Sequence, residues 1–401
     1  MQNYKYTARD DFGKVARGTM FADDEQDLAN KISNLGYYLV RAEVIAATSK
    51  ISSKSLRLKP RDILNTTIHL STLLGAGVPL IRGLIDLARD AEKESIQRVL
   101  NDLRYRVDSG SSLKEALAFH PGSFPKLYVA IVGAGEATGK LSACLEDLAN
   151  FLEWQMELKA KVKEAATYPI ILFCAMLAVV FLLVIKVIPV FEPIFKEAGA
   201  ALPLPTQIVL GVSHFLRNFW YIILGFFILL MAGYRTYNST SRGKYRLDSL
   251  KLKLPLCGSL LRKVAIARFS HTFSLALKSG VPVLTALDIA GEVIGNSRLE
   301  QVVLKGREAV NRGEKIAESF QLSKEFPPLV VRMIGVGEQS GALVETMGKV
   351  NQFYDREVLA AVKKIFVLFE PIMIVVMGVV VGGIALSIFL PMFQLAQIVG
   401  G

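Results

Sequence analysis

The chain has 401 residues, of which 52% are hydrophobic and 21% are charged, and its formal net charge at pH 7 is +11. With a mean hydropathy of +0.38, this composition excludes an ordinary soluble protein and indicates membrane spans joined to large water-exposed parts. A basic excess in such a protein marks cytoplasmic flanks. The chain has no basic motif interleaved with aromatic residues, so nucleic-acid binding is not predicted. The three cysteines have no paired spacing and the four histidines form no cluster. The sequence therefore predicts no disulfide, metal, cofactor or catalytic residue.

Residues 1–45 are predicted to form a small ββαβ module. The stretch YKYTARDDFGKVARGTMFA (4–22) is typical of two short strands around DDFG, and YYLVRAEV (37–44) of a third strand. Between them, DDEQDLANKISNLG (23–36) predicts a helix with an acidic first turn that ends at Gly36. Residues 46–59 are a basic, flexible linker by composition. The module either docks a partner or is a solvated appendage, and the sequence leaves both interpretations open.

Residues 60–168 are predicted to form a helical cytoplasmic domain. Pro79 stands at a helix start, and SLKE (112–115) is a capping box for a later helix. The stretch GAGEATGK (133–140) superficially resembles a phosphate-binding loop. That motif needs a glycine where Ala134 stands and a hydroxyl residue where Leu141 stands, so nucleotide binding is not expected.

The stretch is instead part of an internal repeat. FPKLYVAIVGAGEATGKL (124–141) recurs 202 residues later as FPPLVVRMIGVGEQSGAL (326–343). Lys140, the lysine of the apparent phosphate loop, is replaced by Ala342 in the second copy. The shared motif G-x-G-E-x-x-G comprises Gly133, Gly135, Glu136 and Gly139 in the first copy and Gly335, Gly337, Glu338 and Gly341 in the second. Because glycine adopts conformations denied to other residues, the motif predicts a tight turn in a helical hairpin. Its glutamate either stabilises a helix N-terminus or faces a partner.

Three apolar stretches are long enough to cross a membrane. They predict transmembrane helices over residues 169–191, 206–234 and 369–394, which leave a loop over 192–205, a second cytoplasmic helical domain over 235–368 and a tail over 395–401. Lysine and arginine cluster before the first and third spans and after the second. The positive-inside rule therefore predicts a cytoplasmic N-terminus and a periplasmic C-terminus.

Four residues of the third span are candidate functional positions. Glu370 and Pro371 stand at its mouth. A carboxylate at membrane depth is costly and often functional, whereas one at the hydrated interface need not be. Gly378 and Gly382 form a G-x-x-x-G pair that permits close contact between helices.

The doubled pattern resembles the PilC/GspF family, the inner-membrane platform proteins of type IV pili and type II secretion systems. The resemblance covers residues 60–397 and rests on the paired G-x-G-E-x-x-G motifs, the paired GVP segments, FPP (326–328), LFEP (368–371) and LPMF (390–393). It implies a mainly α, polytopic membrane protein with two six-helix cytoplasmic bundles and three spans, forming a homo-oligomer in the bacterial inner membrane without catalysis.

The resemblance also implies a function and partners. A platform of this family is expected to couple a cytoplasmic hexameric ATPase to assembly, and possibly retraction, of type IV pilins, alongside other inner-membrane assembly proteins and the lipid bilayer. The aromatic stretch NQFYDREV (351–358) favours the pilus branch. The alternatives are a type II secretion platform acting on pseudopilins and, from another class, a membrane transporter built from repeats.

Overall fold

The computed structural model describes residues 2–9, 15–22, 25–33, 36–44, 57–197, 203–255 and 257–399. The chain divides into two compact units. Residues 1–59 with 119–123 form the first unit, and residues 60–118 with 124–401 form the second.

The first unit contains a three-stranded antiparallel sheet and one helix. Its elements are β1 (Gln2–Arg9), β2 (Val15–Ala22), α1 (Glu25–Ser33) and β3 (Tyr38–Val44), and the strand order is β2-β1-β3. Ala8, Leu28 and Ile32 are its fully buried core, so the helix packs on the sheet through one apolar face. This is the ββαβ order that the sequence predicts. The DDFG segment and most of the predicted linker lie outside the described residues.

The second unit begins with six helices that carry the first copy of the repeat. They are α2 (Pro60–Gly75), α3 (Leu80–Asp90), α4 (Glu94–Asp108), α5 (Leu113–Ala118), α6 (Lys126–Thr138) and α7 (Leu141–Leu182). The SLKE capping box forms at the start of α5. The N–H of Ser112 donates to Glu115 Oε2 at 3.1 Å, and the N–H of Glu115 donates to Ser112 Oγ at 3.2 Å.

Helix α7 passes through the predicted domain boundary at residue 168 without a break. Pro169 lies inside the helix, and a π-helical turn (Leu183–Val187) then leads into α8 (Ile188–Glu197). The helix of the first bundle and the apolar run are thus one continuous helix. Helix α9 (Leu204–Ser239) has non-helical dihedrals at Phe219, and its halves meet at 54°.

The second copy of the repeat has the same helix order. After α10 (Ser241–Lys253) it comprises α11 (Cys257–Lys278), α12 (Val283–Val293), α13 (Ser297–Asn311), α14 (Ile316–Ser323), α15 (Pro328–Ser340) and α16 (Leu343–Val399). Helix α16 is 57 residues long, which corresponds to about 85 Å. The chain is therefore mainly helical, as predicted.

The two bundles fill their cores differently. In the second, Phe320 packs against Phe269 and Phe326 with ring centroids 5.7 and 4.5 Å away. Gly306 makes room for that ring, since a Cβ there would lie 2.5 Å from Phe320 Cε1. The residues 203 positions earlier are the buried leucines Leu103 and Leu117. A glycine and a phenylalanine thus stand where the first bundle has two buried leucines, so a single large ring occupies this part of the second core.

Helix α10 is anchored to the second bundle by a buried carboxylate. Asp248 is 5% exposed, and it accepts from the N–H of Ser297 at 3.0 Å and from Lys251 Nζ at 2.9 Å. Burial opposes ionisation, but the hydrogen bond from Ser297 and the ammonium of Lys251 outweigh it and lower the pKa of Asp248. The carboxylate therefore fixes the N-terminus of α13 to α10.

Two described helical segments, Leu141–Phe191 and Leu343–Phe393, are long and apolar enough to cross a membrane. The bent helix α9 is a third candidate if its halves count as one span. These segments meet in a small apolar core of Val184, Ile188 and Ile384, against which residues of α9 also pack. The structure thus brings the three predicted spans together.

Candidate functional site: the paired hairpins and the stems below them

Each copy of the repeated motif lies at the junction of two helices, at the head of a helix that runs into an apolar segment. Helix α6 ends at Gly139, whose φ of +69° is left-handed. The N–H of Gly139 donates to the carbonyl of Glu136, and the N–H of Lys140 donates to that of Gly135 at 2.9 Å, which is the Schellman pattern. Helix α15 also ends at a left-handed glycine, Gly341, with a φ of +71°. These two glycines form the predicted turn.

The other motif residues are not in the turn, which corrects the prediction that the whole motif is one. Gly133, Gly135 and Glu136 lie in the last two turns of α6, and their counterparts lie in α15. The sequence suggested a turn because glycines are common there, but here glycine serves close packing between helices.

The middle glycine of each motif permits close contact between the two helices of the hairpin. A Cβ at Gly135 would lie 2.8 Å from Cys144 Cβ and 3.1 Å from Leu141 Cα. A Cβ at Gly337 would lie 2.2 Å from Thr346 Oγ1 and 2.9 Å from the Cα of the residue that begins α16. Each hairpin is therefore closed more tightly than any side chain at this position would allow.

The glutamate of each motif caps a neighbouring short helix. Glu136 accepts from the N–H groups of Leu113 at 2.8 Å and Lys114 at 3.2 Å, at the start of α5. Glu338 accepts from the N–H groups of Ile316 at 2.9 Å and Ala317 at 3.3 Å, at the start of α14. A carboxylate there satisfies N–H groups that have no partner within their own helix and interacts favourably with the helix dipole.

The first glycine of each motif lies under the same capped helix. A Cβ at Gly133 would lie 2.5 Å from Cδ of Lys114, and one at Gly335 would lie 3.3 Å from Cβ of Ala317. The motif therefore holds three helices together. Its glycines allow the short capped helix and the following long helix to pack closely against the helix that carries the motif, and its glutamate hydrogen-bonds to the N-terminus of the short helix.

This geometry also explains why the first copy does not form a phosphate-binding loop. Such a loop presents free backbone N–H groups to a phosphate. Here residues up to Thr138 are α-helical, so their N–H groups are already bonded to carbonyls four residues earlier.

Contacts between the two copies of the repeat were not foreseen from the sequence. Trp154 of α7 donates its indole N–H to Asp355 Oδ1 of α16 at 2.8 Å. The ring of His271 stacks on Trp154 with centroids 3.8 Å apart, and its Nε2 lies 3.1 Å from the same carboxylate oxygen. The ion pairs Lys126–Glu292 (2.5 Å) and Lys278–Asp147 (2.7 Å) also join the bundles. No spacing rule relates residues so far apart, although a tryptophan on a polar helix was a signal.

Hydroxyl groups link the apolar helices. Ser213 of α9 donates to the carbonyl of Val184 at 2.7 Å, inside the π-helical turn. Thr206 of α9 donates to the carbonyl of Ser387 of α16 at 2.7 Å. All three hydroxyl residues are buried. Serine and threonine commonly join membrane helices in this way.

The four candidate positions of the third span are placed as follows. Glu370 is exposed beside Pro371, which lies inside α16. A Cβ at Gly378 or Gly382 would meet no atom within 4 Å. The predicted close helix contact at these glycines is therefore not made within one chain, because α16 packs through Val380 and Ile384 instead. Among the described residues, no group of three His, Cys, Asp or Glu residues could hold a metal ion.

Comparison with known proteins places this architecture in a family. The sequence pattern of type II secretion system protein F matches residues 66–189 and again residues 269–391, so the internal repeat is confirmed. The type IV pilus assembly protein PilC of Thermus thermophilus is 36% identical over 98% of both chains. PilC of Myxococcus xanthus is 35% identical over 98% of this chain and 95% of its own. The type II secretion system protein F of Pseudomonas aeruginosa is 32% identical over both full lengths. The resemblance stated from the motifs is confirmed, and the chain belongs to the family of type II secretion system protein F.

Proposed function

We propose that the protein is a non-enzymatic platform in the bacterial inner membrane that couples a cytoplasmic hexameric ATPase to the assembly of type IV pilin subunits. Relatives named for type IV pilus assembly support this reading. Within Pseudomonas aeruginosa, the pilus assembly protein PilC is 35% identical over 86% of this chain, whereas the type II secretion protein F is 32% identical over all of it. The pilus branch is the main proposal, and a secretion platform acting on pseudopilins is the alternative.

The observation that carries the proposal is the continuity of the two stems. We use "stem" for α7 and for α16, each of which starts at a motif hairpin and continues as one helix into an apolar segment. A packed helix transmits displacement because a sharp bend would disrupt its backbone hydrogen bonds. A push on either bundle therefore reaches the bilayer along its stem.

The proposed membrane arrangement follows the sequence prediction. Spans lie at residues 169–191, 206–234 and 369–394, with the domains 60–168 and 235–368 in the cytoplasm and the C-terminus in the periplasm. In support, basic residues are concentrated in α10, directly after the second apolar stretch. Several copies are proposed to assemble around the growing pilus.

Partner contact is tested by photocrosslinking in piliated cells. A photoreactive residue is placed at Lys140 and, separately, at Ser340, which are exposed at the two hairpin turns. Adducts with a hexameric ATPase or with pilins support the proposal, and adducts with pseudopilins select the secretion alternative. Self-adducts alone, in cells that assemble pili, would show that neither hairpin turn contacts the ATPase or the pilin.

Transmission along the stems is tested by interrupting one. Three glycines inserted after Phe366 of α16 should abolish piliation while leaving the protein in the membrane at normal abundance, because the helix loses its continuity between bundle and span. The same insertion within residues 46–59 is the control and should leave piliation intact. Normal piliation with the interrupted stem would exclude transmission through α16.

A further inference from the structure

An open cleft separates the two stems between two points of contact. The stems meet at the Trp154–Asp355 hydrogen bond. The π-helical turn that follows α7 meets α16 again at the apolar core that contains Val184 and Ile384. Between these points lie two adjoining cavities of about 550 and 600 Å³. Both are within the range of about 300–1,000 Å³ that is typical of small-molecule sites.

The cavity deeper in the apolar segments is lined by apolar residues alone. Its walls include Leu172, Met176, Val179, Met373, Met377 and Gly378. Methionine side chains are flexible and polarisable, so they adapt to chains of varied shape. Gly378 has no side chain, and a Cβ there would meet no atom within 4 Å. The cavity is therefore unobstructed at this position.

The adjoining cavity, which we call the mouth, carries both signs of charge. It is lined by Lys161 and Glu164 of α7 and by Lys363 and Glu370 of α16, with Tyr168 and Pro169 beside them. Lys161 pairs with Glu157 at 3.3 Å. Within the described part of the chain, Glu164, Lys363 and Glu370 have no hydrogen-bond or ion-pair partner.

The charges select the kind of ligand. A purely anionic headgroup would face two carboxylates, and a purely cationic one would face two ammonium groups, so each meets repulsion as well as attraction. A zwitterion with a phosphate and a primary ammonium satisfies both pairs. Pairing with the ammonium group stabilises the carboxylate of Glu370 most, because this residue lies next to the apolar segment and an unpaired charge near the bilayer is costly.

We propose that the cleft binds one phospholipid with a phosphoethanolamine headgroup. One of its two acyl chains lies in the apolar cavity and the other faces the bilayer, its phosphate faces Lys161 and Lys363, and its ammonium faces Glu164 and Glu370. The lipid fills the space between the stems and stabilises their separation. The inference requires only that α7 and α16 lie in a bilayer, and it does not depend on the identity of the ATPase or pilin.

The test is native mass spectrometry of the full-length protein in detergent. Phosphatidylethanolamine, phosphatidylcholine and phosphatidylglycerol with identical acyl chains are added at equal concentration. The expected result is one retained phosphatidylethanolamine per chain, at least about tenfold preferred, since a quaternary ammonium cannot donate the hydrogen bonds of a primary one. Equal retention of all three lipids would mean nonspecific annular binding and would overturn the proposal.

Two sets of variants locate the site. Gly378→Leu places a side chain in the apolar cavity and should abolish retention. Gly382→Leu, one turn further along α16 and not among the residues that line the cavity, should not. The double variant Glu164→Gln/Glu370→Gln should lose the preference and shift it towards phosphatidylglycerol, while Lys364→Gln, next to the lining Lys363, should change nothing. Unaltered headgroup preference in the double variant would overturn the assignment even if Gly378→Leu failed to fold.

Discussion

A glycine matters in this protein where another helix lies against it, and Gly337 shows this clearly. Its Cα is so close to α16 that a methyl group would overlap Thr346 Oγ1 and press on the backbone of Leu343. Gly348, eleven residues later, has open space around it. A side chain is therefore excluded at Gly337 but has room at Gly348, although both glycines lie near the same hairpin.

Replacing Gly337 by alanine should therefore lower the free energy of unfolding by about 1–3 kcal/mol, because the hairpin must open to admit the methyl group. Gly348→Ala is the matched control and should be neutral or stabilising by up to about 1 kcal/mol, since alanine favours a helix interior. Thermal unfolding of the purified protein in detergent measures both. Equal midpoints for the two variants would contradict the proposed close contact.

The motif glutamates act through helix capping. Glu338→Gln should destabilise the protein by about 1–2 kcal/mol, because an amide oxygen accepts from Ile316 and Ala317 more weakly than a carboxylate does. Glu345→Gln, at an exposed ion pair in α16, is the control and should cost little. Protease sensitivity of the segment 312–325, compared between the variants, provides the measurement. Unchanged protection with Glu338→Gln would assign the glutamate to another role.

At the scale of elements, one of the two contacts between the stems is made by the indole of Trp154 and the carboxylate of Asp355. Trp154→Phe removes the donor, and Asp355→Asn removes the charge that accepts it. A double-mutant cycle should yield a coupling of about 1 kcal/mol, since the pair is a charge-assisted hydrogen bond that is partly exposed. His271 adds a second contact to Asp355, so the cycle is repeated in a His271→Ala background. Additive effects would show that the stems are not joined through this bond.

The docking of α10 should depend on pH. The pKa of Asp248 is lowered in the folded protein, so its contribution is present above the unfolded value of about 3.9 and is lost as the pH falls through the folded value. Asp248→Asn should reduce the unfolding temperature at pH 7 and lessen its fall on acidification. Glu94→Gln, at an exposed pair in α4, should follow the wild-type curve. If the unfolding temperature of Asp248→Asn fell on acidification as much as that of the wild type, this carboxylate would not be the cause of the pH dependence.

What could be predicted from the sequence follows from which signals are local. The helix order and the capping box depend on residues a few positions apart, and the repeat depends on direct comparison of segments. The Trp154–Asp355 bond and the partner of Glu338 depend on how distant helices meet, which periodicity does not describe. The G-x-G-E-x-x-G motif was therefore found correctly, whereas its division between a turn glycine, packing glycines and a cap required coordinates.

For the whole molecule, the basic residues predict which surfaces face the cytoplasm. Single cysteines are introduced into a Cys144→Ala/Cys174→Ala/Cys257→Ala background and labelled in intact cells with a membrane-impermeant thiol reagent. A cysteine at Ala200 should be labelled, and one at Ser241, at the start of the basic helix α10, should react only after the membrane is permeabilised. Labelling of both positions in intact cells would reject the proposed orientation and the count of three spans.

The π-helical turn at Leu183–Val187 has a consequence for the symmetry of the two copies. A π-helical turn accommodates one extra residue, whereas α16 is α-helical throughout. One residue of an α-helix corresponds to a rotation of about 100° about the helix axis. Beyond the turn, each residue of the first copy is therefore rotated by about 100° relative to its counterpart in the second copy. Pro189 and Pro391, which match in sequence, thus point in different directions around their helices. The two copies keep the same helical phase within the helical bundles and differ in phase at the far ends of α8 and α16, so a ring of such chains would present two unlike surfaces there.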